Sequence, residues 1–230
     1  MFEPMTEPRR GARFTTPVSG TIYGVILNVR HEIEAIGAAL SQPPYGKPPQ
    51  APVLYIKPPN TYLPGGGEVF VPAGEDALEA NATLAVVIGR TAARVSQADA
   101  LSHVLGYAVA IDVCVPHTSL HRPAIRQRCR DGFLPIGTVM PKATVGDPDR
   151  LAVKVAVNGR EMSLFSTADL VRPVSRLIAD VTEFMTLFEG DVLLVGLAPD
   201  GPRARAGDRV EAEIDGVGSV SCSLIAETAL

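Results

Sequence analysis

Tryptophan is absent from the 230 residues, aromatics amount to 5%, and no stretch is rich in lysine or arginine. A nucleic-acid surface is normally basic and interleaved with stacking side chains, so nothing here points to that class. Cysteine is scarce. Cys114, Cys129 and Cys222 are odd in number and form no C-x-x-C pair, which argues against a disulfide framework or a zinc site and favours a reducing cytoplasm. No apolar run reaches the roughly 18 residues that a membrane helix needs. Met1 to Arg13 is polar and proline-containing without the apolar core of a signal peptide. It reads as a loose tail over residues 1–15, followed by a single domain over 16–230. Charge is also sparse, at 20% of residues with a net value of −4, while 46% are hydrophobic. That is enough apolar material for one sizeable core or two small ones.

What the chain has in plenty is glycine (21) and proline (20), spread throughout. Proline is excluded from helix interiors and central strands, and glycine serves turns and bulges. Many short strands with few helices are therefore expected, roughly nine to eleven strands and three helices. Thr21 to Val29 reads as a strand, and His31 to Leu40 as a helix with Ile33, Ile36 and Leu40 on one face. The segment from Ser41 to Gln50 is an extended connector in which Tyr45 is a candidate anchor. Val53 to Lys57 is a strand cut off by Pro58 and Pro59, which leaves Lys57 beside a turn. Gly65 to Gly67 lacks the features of a phosphate loop and reads as a hairpin turn before a strand at Glu68 to Pro72. Asn158-Gly159 and Asp215-Gly216 are hairpin signals. A helix is expected between Leu170 and Phe188, with Pro173 near its start, and a buried strand over Val192 to Gly196.

The centre of the chain lies between Glu79 and Gly137. Leu84 to Gly89 and Gly106 to Asp112 are apolar runs, with a candidate helix from Ser96 to His103 between them. The second run ends on a carboxylate. A lone acid at the end of a buried strand is costly to desolvate unless it is paired, hydrogen-bonded or metal-bound, so Asp112 is the first residue to suspect of function. An arginine-rich segment, His121 to Asp131, follows. Arg122, Arg126, Arg128 and Arg130 could grip carboxylates bidentately or simply form a solvated or interface face. His117 and His121 are four apart, but Pro116 and Pro123 argue against a helix that would make them a metal pair.

Six ordered segments resemble the fumarylacetoacetate hydrolase family: Leu54 to Pro58, Leu84 to Gly89, Gly106 to Val113, Asp131 to Gly137, Val157 to Gly159 and Glu189 to Leu193. The likeness runs from about Gly20 onward. Asn28 to Arg30, Ser41 to Tyr45 and Arg122 to Ile125 are most similar to the N-terminal half of members that act as decarboxylase and isomerase in aromatic catabolism, where the family unit is duplicated in one polypeptide. The resemblance implies a mainly β fold with a few helices, an α+β mixed-sheet roll. It implies work on 5-oxopent-3-ene-1,2,5-tricarboxylate and then 2-hydroxyhepta-2,4-diene-1,7-dioate, by a homo-oligomer or by a pair of family subunits. An acylpyruvate-type hydrolase and a non-catalytic structural partner are the alternatives.

The family's chemistry uses Mg²⁺ or Mn²⁺ held by a Glu-x-Glu pair and an aspartate, oxygen ligands that suit a hard cation. By that resemblance Asp112 is the metal aspartate, but the two glutamate positions fall on Asn81 and Thr83. A single acidic ligand is too little to hold such an ion tightly. Glu79 lies on the same face, about 6–7 Å further along the strand, too far to substitute. By the same resemblance Lys57 is a retained catalytic cation, and the family's lysine before Asp131 appears as Arg128, still cationic. Arg122, Asn28 and Asp131 are the substrate-binding candidates, and His31 with Glu32 lies near a family His-Glu dyad with the spacing off by one. A family Gly-Thr-Pro appears as Gly196-Leu197-Ala198-Pro199, without the hydroxyl. For Asp112 the other reading is an acid paired with Lys57 or Arg128 to hold strand ends together, and for Lys57 a structural ion pair.

Overall fold

The computed structural model describes residues 18–43, 46–117, 123–198 and 201–227. The tail and the candidates Tyr45, His121 and Arg122 lie outside them. Among the described residues there are fourteen strands and three α-helices. One sheet takes β1 (Ile22–Ile26), β2 (Val53–Lys57), β3 (Tyr62–Pro64), β5 (Leu78–Ile88), β6 (Val104–Cys114), β7 (Leu134–Ile136), β8 (Met140–Pro141), β11 (Val192–Leu194) and β12 (Arg203–Ala204). The other takes β4 (Glu68–Val71), β9 (Ala152–Val157), β10 (Arg160–Ser166), β13 (Arg209–Ile214) and β14 (Gly218–Ala226). The helices are α1 (Arg30–Ile36), α2 (Ile125–Arg128) and α3 (Val174–Thr182). No helix among the described residues is long and apolar enough to cross a membrane.

The order of the larger sheet is β2-β1-β11-β5-β6-β7-β3. Laid flat, its end strands β2 and β3 would be six spacings apart, about 29 Å. Yet they are joined through the single 3-10 turn Pro59–Thr61. Five residue steps, from Lys57 to Tyr62, span at most about 18 Å. The sheet must therefore curl until its ends approach. The inward face carries small and apolar side chains, among them Ile22, Ala85, Val87, Ala108, Ala110, Leu134 and Leu194. The outward face, through Leu84, Val86, Val109 and Ile111, packs on the second sheet and on Val174, Leu177, Ile178 and Val181 of α3.

Local expectations held where one short-range signal decides the structure. Asn158, at φ 52°, and Gly159, at φ 77°, make the tight turn joining β9 to β10, and Asp215-Gly216 joins β13 to β14. Four expectations need correction. Ser96 to His103 forms only turns and a 3-10 helix over Ala100–His103. The expected His31 to Leu40 helix stops at Ile36, because Gly37 turns to φ 52° and the chain tightens into 3-10 geometry over Gly37–Ser41. The long helix expected up to Phe188 is confined to Val174–Thr182. Gly65 to Gly67 is not a hairpin turn: it carries the chain from β3 in one sheet to β4 in the other.

Gly24 shows how a missing side chain serves the roll. Tyr55 of β2 lies across it, and a Cβ built at Gly24 would sit 2.0 Å from the Tyr55 ring carbon Cζ. Gly24→Ala is expected to lower stability by about 1–3 kcal/mol in urea denaturation, because the ring must leave its place. Gly146→Ala, where an added Cβ meets nothing within 4 Å, serves as the control and leaves the midpoint unchanged or slightly raised.

Candidate functional site

Directly paired residues share a face of a sheet, so register shows which side chains point inward. Asn81 pairs with Asp112 and Thr83 with Ala110 across β5 and β6. Lys57 pairs with Ile22 and Tyr55 with Gly24 across β2 and β1. Asn81, Thr83, Asp112, Lys57 and Tyr55 thus all face the inside of the roll. Asp112 and Lys57 stand on strands four apart in the sheet order, about 19 Å if flat, and the curl brings them together. Lys57 Nζ lies 2.7 Å from Asp112 Oδ1, and both side chains are fully buried. Nζ also donates to the carbonyls of Val113 (2.9 Å), Arg128 (2.9 Å) and Phe133 (3.0 Å).

Arg128, from α2, approaches the same Oδ1 at 3.3 Å. Its guanidinium stacks over the Tyr55 ring, 4.8 Å from the centroid. The Tyr55 hydroxyl donates to Asp112 Oδ2. Both carboxylate oxygens are thus engaged by donors, and two cations surround one anion. Burial pushes the Asp112 carboxyl up, but the charges of Lys57 and Arg128 outweigh it and hold the group below its ordinary range. Burial lowers the Lys57 ammonium, and Asp112 opposes that shift. Four oxygens, Asp112 Oδ1 and three carbonyls, lie within 3.0 Å of the lysine nitrogen.

Glu32 forms a second feature. Leu27 leaves β1 at φ 58°, a rare backbone state for a branched side chain. Its N–H donates to Glu32 Oε2 at 2.6 Å, so the carboxylate reaches back to hold the corner before α1. Burial raises this carboxyl to about 7, against the pull of the Leu27 amide and the Arg128 charge.

The other sequence candidates separate. Asn28 is buried and braced: its amide donates to the carbonyls of Val195 (2.7 Å) and Arg172 (3.2 Å), and its Oδ1 accepts from the Arg172 amide (2.9 Å). Asp131 is exposed and accepts from Asn60 (2.7 Å). Arg126 is exposed, and Arg130 donates to the Arg126 carbonyl (3.2 Å), so among the described arginines of this segment only Arg128 reaches Asp112. His31 is exposed. Glu79 pairs with Cys114, whose thiol points at its carboxylate at 3.7 Å, and Arg203 stands 4.0 Å away. Leu197 fills an apolar cluster with Ile26, Leu27 and Leu40. Sequence reasoning missed Tyr55 and Gly24. The available signals were the shared parity of Tyr55 with Lys57 and a lone glycine inside an apolar strand.

Residues 21–225 match the profile described as fumarylacetoacetate (FAA) hydrolase C-terminal. The chain belongs to the fumarylacetoacetate hydrolase family. It is 39% identical over 210 residues to the 4-hydroxyphenylacetate degradation bifunctional isomerase/decarboxylase of Salmonella dublin, a match covering 91% of this chain and 48% of that protein. The chain spans about half the length of the curated relatives it matches first. Among solved structures, 5-carboxymethyl-2-hydroxymuconate delta-isomerase from Mycobacterium smegmatis superposes with a TM-score of 0.77 at 26% identity, over 92% of this chain and 81% of that one. Fumarylpyruvate hydrolase from Pseudomonas aeruginosa, solved with Mn²⁺ and pyruvate, shares the fold at a TM-score of 0.81 and 23% identity, over 98% of this chain and 100% of that one.

The residues present do not fit the family's divalent cation. A hard dication needs free anionic oxygens, and both oxygens of Asp112 accept from Lys57, Arg128 and Tyr55. An ion placed there would face two fixed cations. Asn81 and Thr83 add no charge. Position 81 is also crowded, since a Cβ on Gly201 would lie 2.2 Å from Asn81 Oδ1. Among the described residues no group of three His, Cys, Asp or Glu side chains could hold a metal.

Two outcomes follow. Asp112→Asn strands two buried cations and is expected to cost about 3–5 kcal/mol in urea denaturation. For Glu32, the folded carboxyl sits at about 7 against 4.5 ordinarily, so the fold retains a proton that the unfolded chain releases. Its contribution is full below about 4.5 and is lost as pH rises through about 7. Glu32→Gln, which keeps an acceptor for Leu27, should raise the melting midpoint relative to the parent at pH 8 and match it at pH 4.5.

Proposed function

We propose that this chain is a subunit of the enzyme that decarboxylates 5-oxopent-3-ene-1,2,5-tricarboxylate and isomerises 2-hydroxyhepta-2,4-diene-1,7-dioate in 4-hydroxyphenylacetate catabolism. The metal-dependent chemistry resides on a partner subunit that carries both glutamates. The observation that carries this reading is the match along 91% of the chain to about half of an isomerase/decarboxylase. In such an arrangement the second half of the relative corresponds to a second subunit. Mg²⁺ or Mn²⁺ belongs to that subunit, the substrate is a small carboxylic keto acid, and the assembly works in the cytoplasm as a dimer or larger oligomer. Lys57, Arg128 and Asp112 meet inside the roll of this chain. Tyr55 orients the Asp112 carboxylate, and Lys57 holds it in place.

The engagement of both Asp112 oxygens favours a second reading, in which the chain keeps the fold and interface and leaves all chemistry to its partner. Decarboxylation by this chain, by the partner and by the mixture, each with Mg²⁺, distinguishes the two. The first reading expects full activity only in the mixture. Full activity of the partner alone supports the purely structural role. Calorimetric titration of Mg²⁺ into this chain is expected to show no binding in the micromolar range, and saturation there would overturn the assignment of the metal to the partner.

A further inference from the structure

Large apolar side chains normally leave the surface, and a cluster that stays there marks a contact with something else. Phe184 is 63% exposed and Phe188 61%. They flank Leu187, which is wholly buried and exchanges backbone hydrogen bonds of 2.8 and 2.9 Å with Ala92. That antiparallel bridge lays residues 89–95, which leave β5, beside residues 183–189, which leave α3. Thr91 and Ala93, next to the bridge, are exposed and uncharged. Leu105 is 44% exposed and adjoins the same strand end, since a Cβ built at Gly89 would lie 2.7 Å from its Cβ. The two segments thus present an uncharged patch with two phenylalanines in it.

The charges around the patch are sorted. Residues 89–95 carry only bases, Arg90 and Arg94, and residues 183–189 only acids, Glu183 and Glu189. All four are exposed, and none has an ion-pair partner among the described residues. The register of the bridge sets Arg90 opposite Glu189. Arg94 and Glu183 line one groove at the other end. An apolar centre with a charged rim is the anatomy of a protein interface. A closed dimer uses one patch twice, so the patch must complement itself. A two-fold axis running along the ribbon, in the plane of contact, lays the basic segment of one copy over the acidic segment of the other. An axis across the ribbon would lay base on base. We propose that this face joins two copies of the chain, with Phe184 and Phe188 of each at the centre and the arginines of one copy over the glutamates of the other at the rim. The proposal rests on the reading of the chain as part of an oligomer, and deepens it by naming the face and the copy that covers it.

The test uses the whole chain alone, without partner subunit or substrate. Sedimentation velocity over a range of concentrations is expected to show a dimer. Phe184→Glu and Phe188→Glu should each weaken self-association at least about tenfold. Both side chains are already exposed, so the circular dichroism spectrum should stay that of the parent. Arg90→Glu with Arg94→Glu makes both segments acidic, and Glu183→Arg with Glu189→Arg makes both basic. Each double variant is expected to be monomeric alone, and an equimolar mixture of the two to form a mixed dimer. A chain that stays monomeric throughout overturns the proposal. So does a dimer indifferent to both phenylalanine substitutions, which uses another face, or a pair of double variants that does not associate. Loss of binding to the partner subunit with self-association intact also overturns it, and assigns the face to that subunit. Self-association is read without turnover, so it can fail while the mixture is active, or hold while the mixture is not.

Discussion

A carboxylate buried at the end of a central strand must be compensated, and that one constraint fixes the geometry around it. Asp112 is compensated by Lys57 from the far edge of the same sheet. The pair can form only if the sheet curls. Lys57 then does more than neutralise a charge: its three further contacts, to Val113, Arg128 and Phe133, tie β2 to β6, to the turn of α2 and to the approach of β7. An ammonium with four acceptors is a structural rivet as much as a counter-ion. Truncating either partner would leave a buried charge, which is why the pair is costly to break even where its net contribution is modest.

The same compensation limits the chemistry. A cation cradle requires carboxylates whose lone pairs point into the empty space. Here the lone pairs of Asp112 point at Lys57, Arg128 and the Tyr55 hydroxyl. Lys57 and Arg128 flank the one carboxylate, and Asn81 and Thr83 on β5 are neutral. Both changes act against a dication. A family scaffold can therefore keep its roll while its interior loses the donor set for a dication, because the roll depends on the Lys57–Asp112 pair and the metal depends on what stands beside it.

Much of this was legible in the chain. Asp112 stood out because an acid at the end of an apolar run has few inexpensive fates, and Lys57 because two prolines fixed it at a strand end. The Asn158-Gly159 and Asp215-Gly216 turns were readable because two residues decide them. What could not be read was closure. The adjacency of β2 and β6 depends on a strand order in which β11 lies between β1 and β5, and no local pattern records that. Tyr55 was hidden for the same reason: its partner Asp112 is 57 positions away. The Gly65 to Gly67 turn misled because its flexibility suits a hairpin and a crossing between sheets equally well.

Satisfied polar groups frame this interior, and one buried hydroxyl stands outside that frame. Asn28 is wholly buried, yet it meets three backbone partners that fasten β1 to the segment before α3. Its polarity has a structural use. Thr83 is equally buried with no such use, and a valine there would fill the same volume without an unpaired oxygen. An orphaned hydroxyl costs about 1–3 kcal/mol, a large share of the stability of a domain.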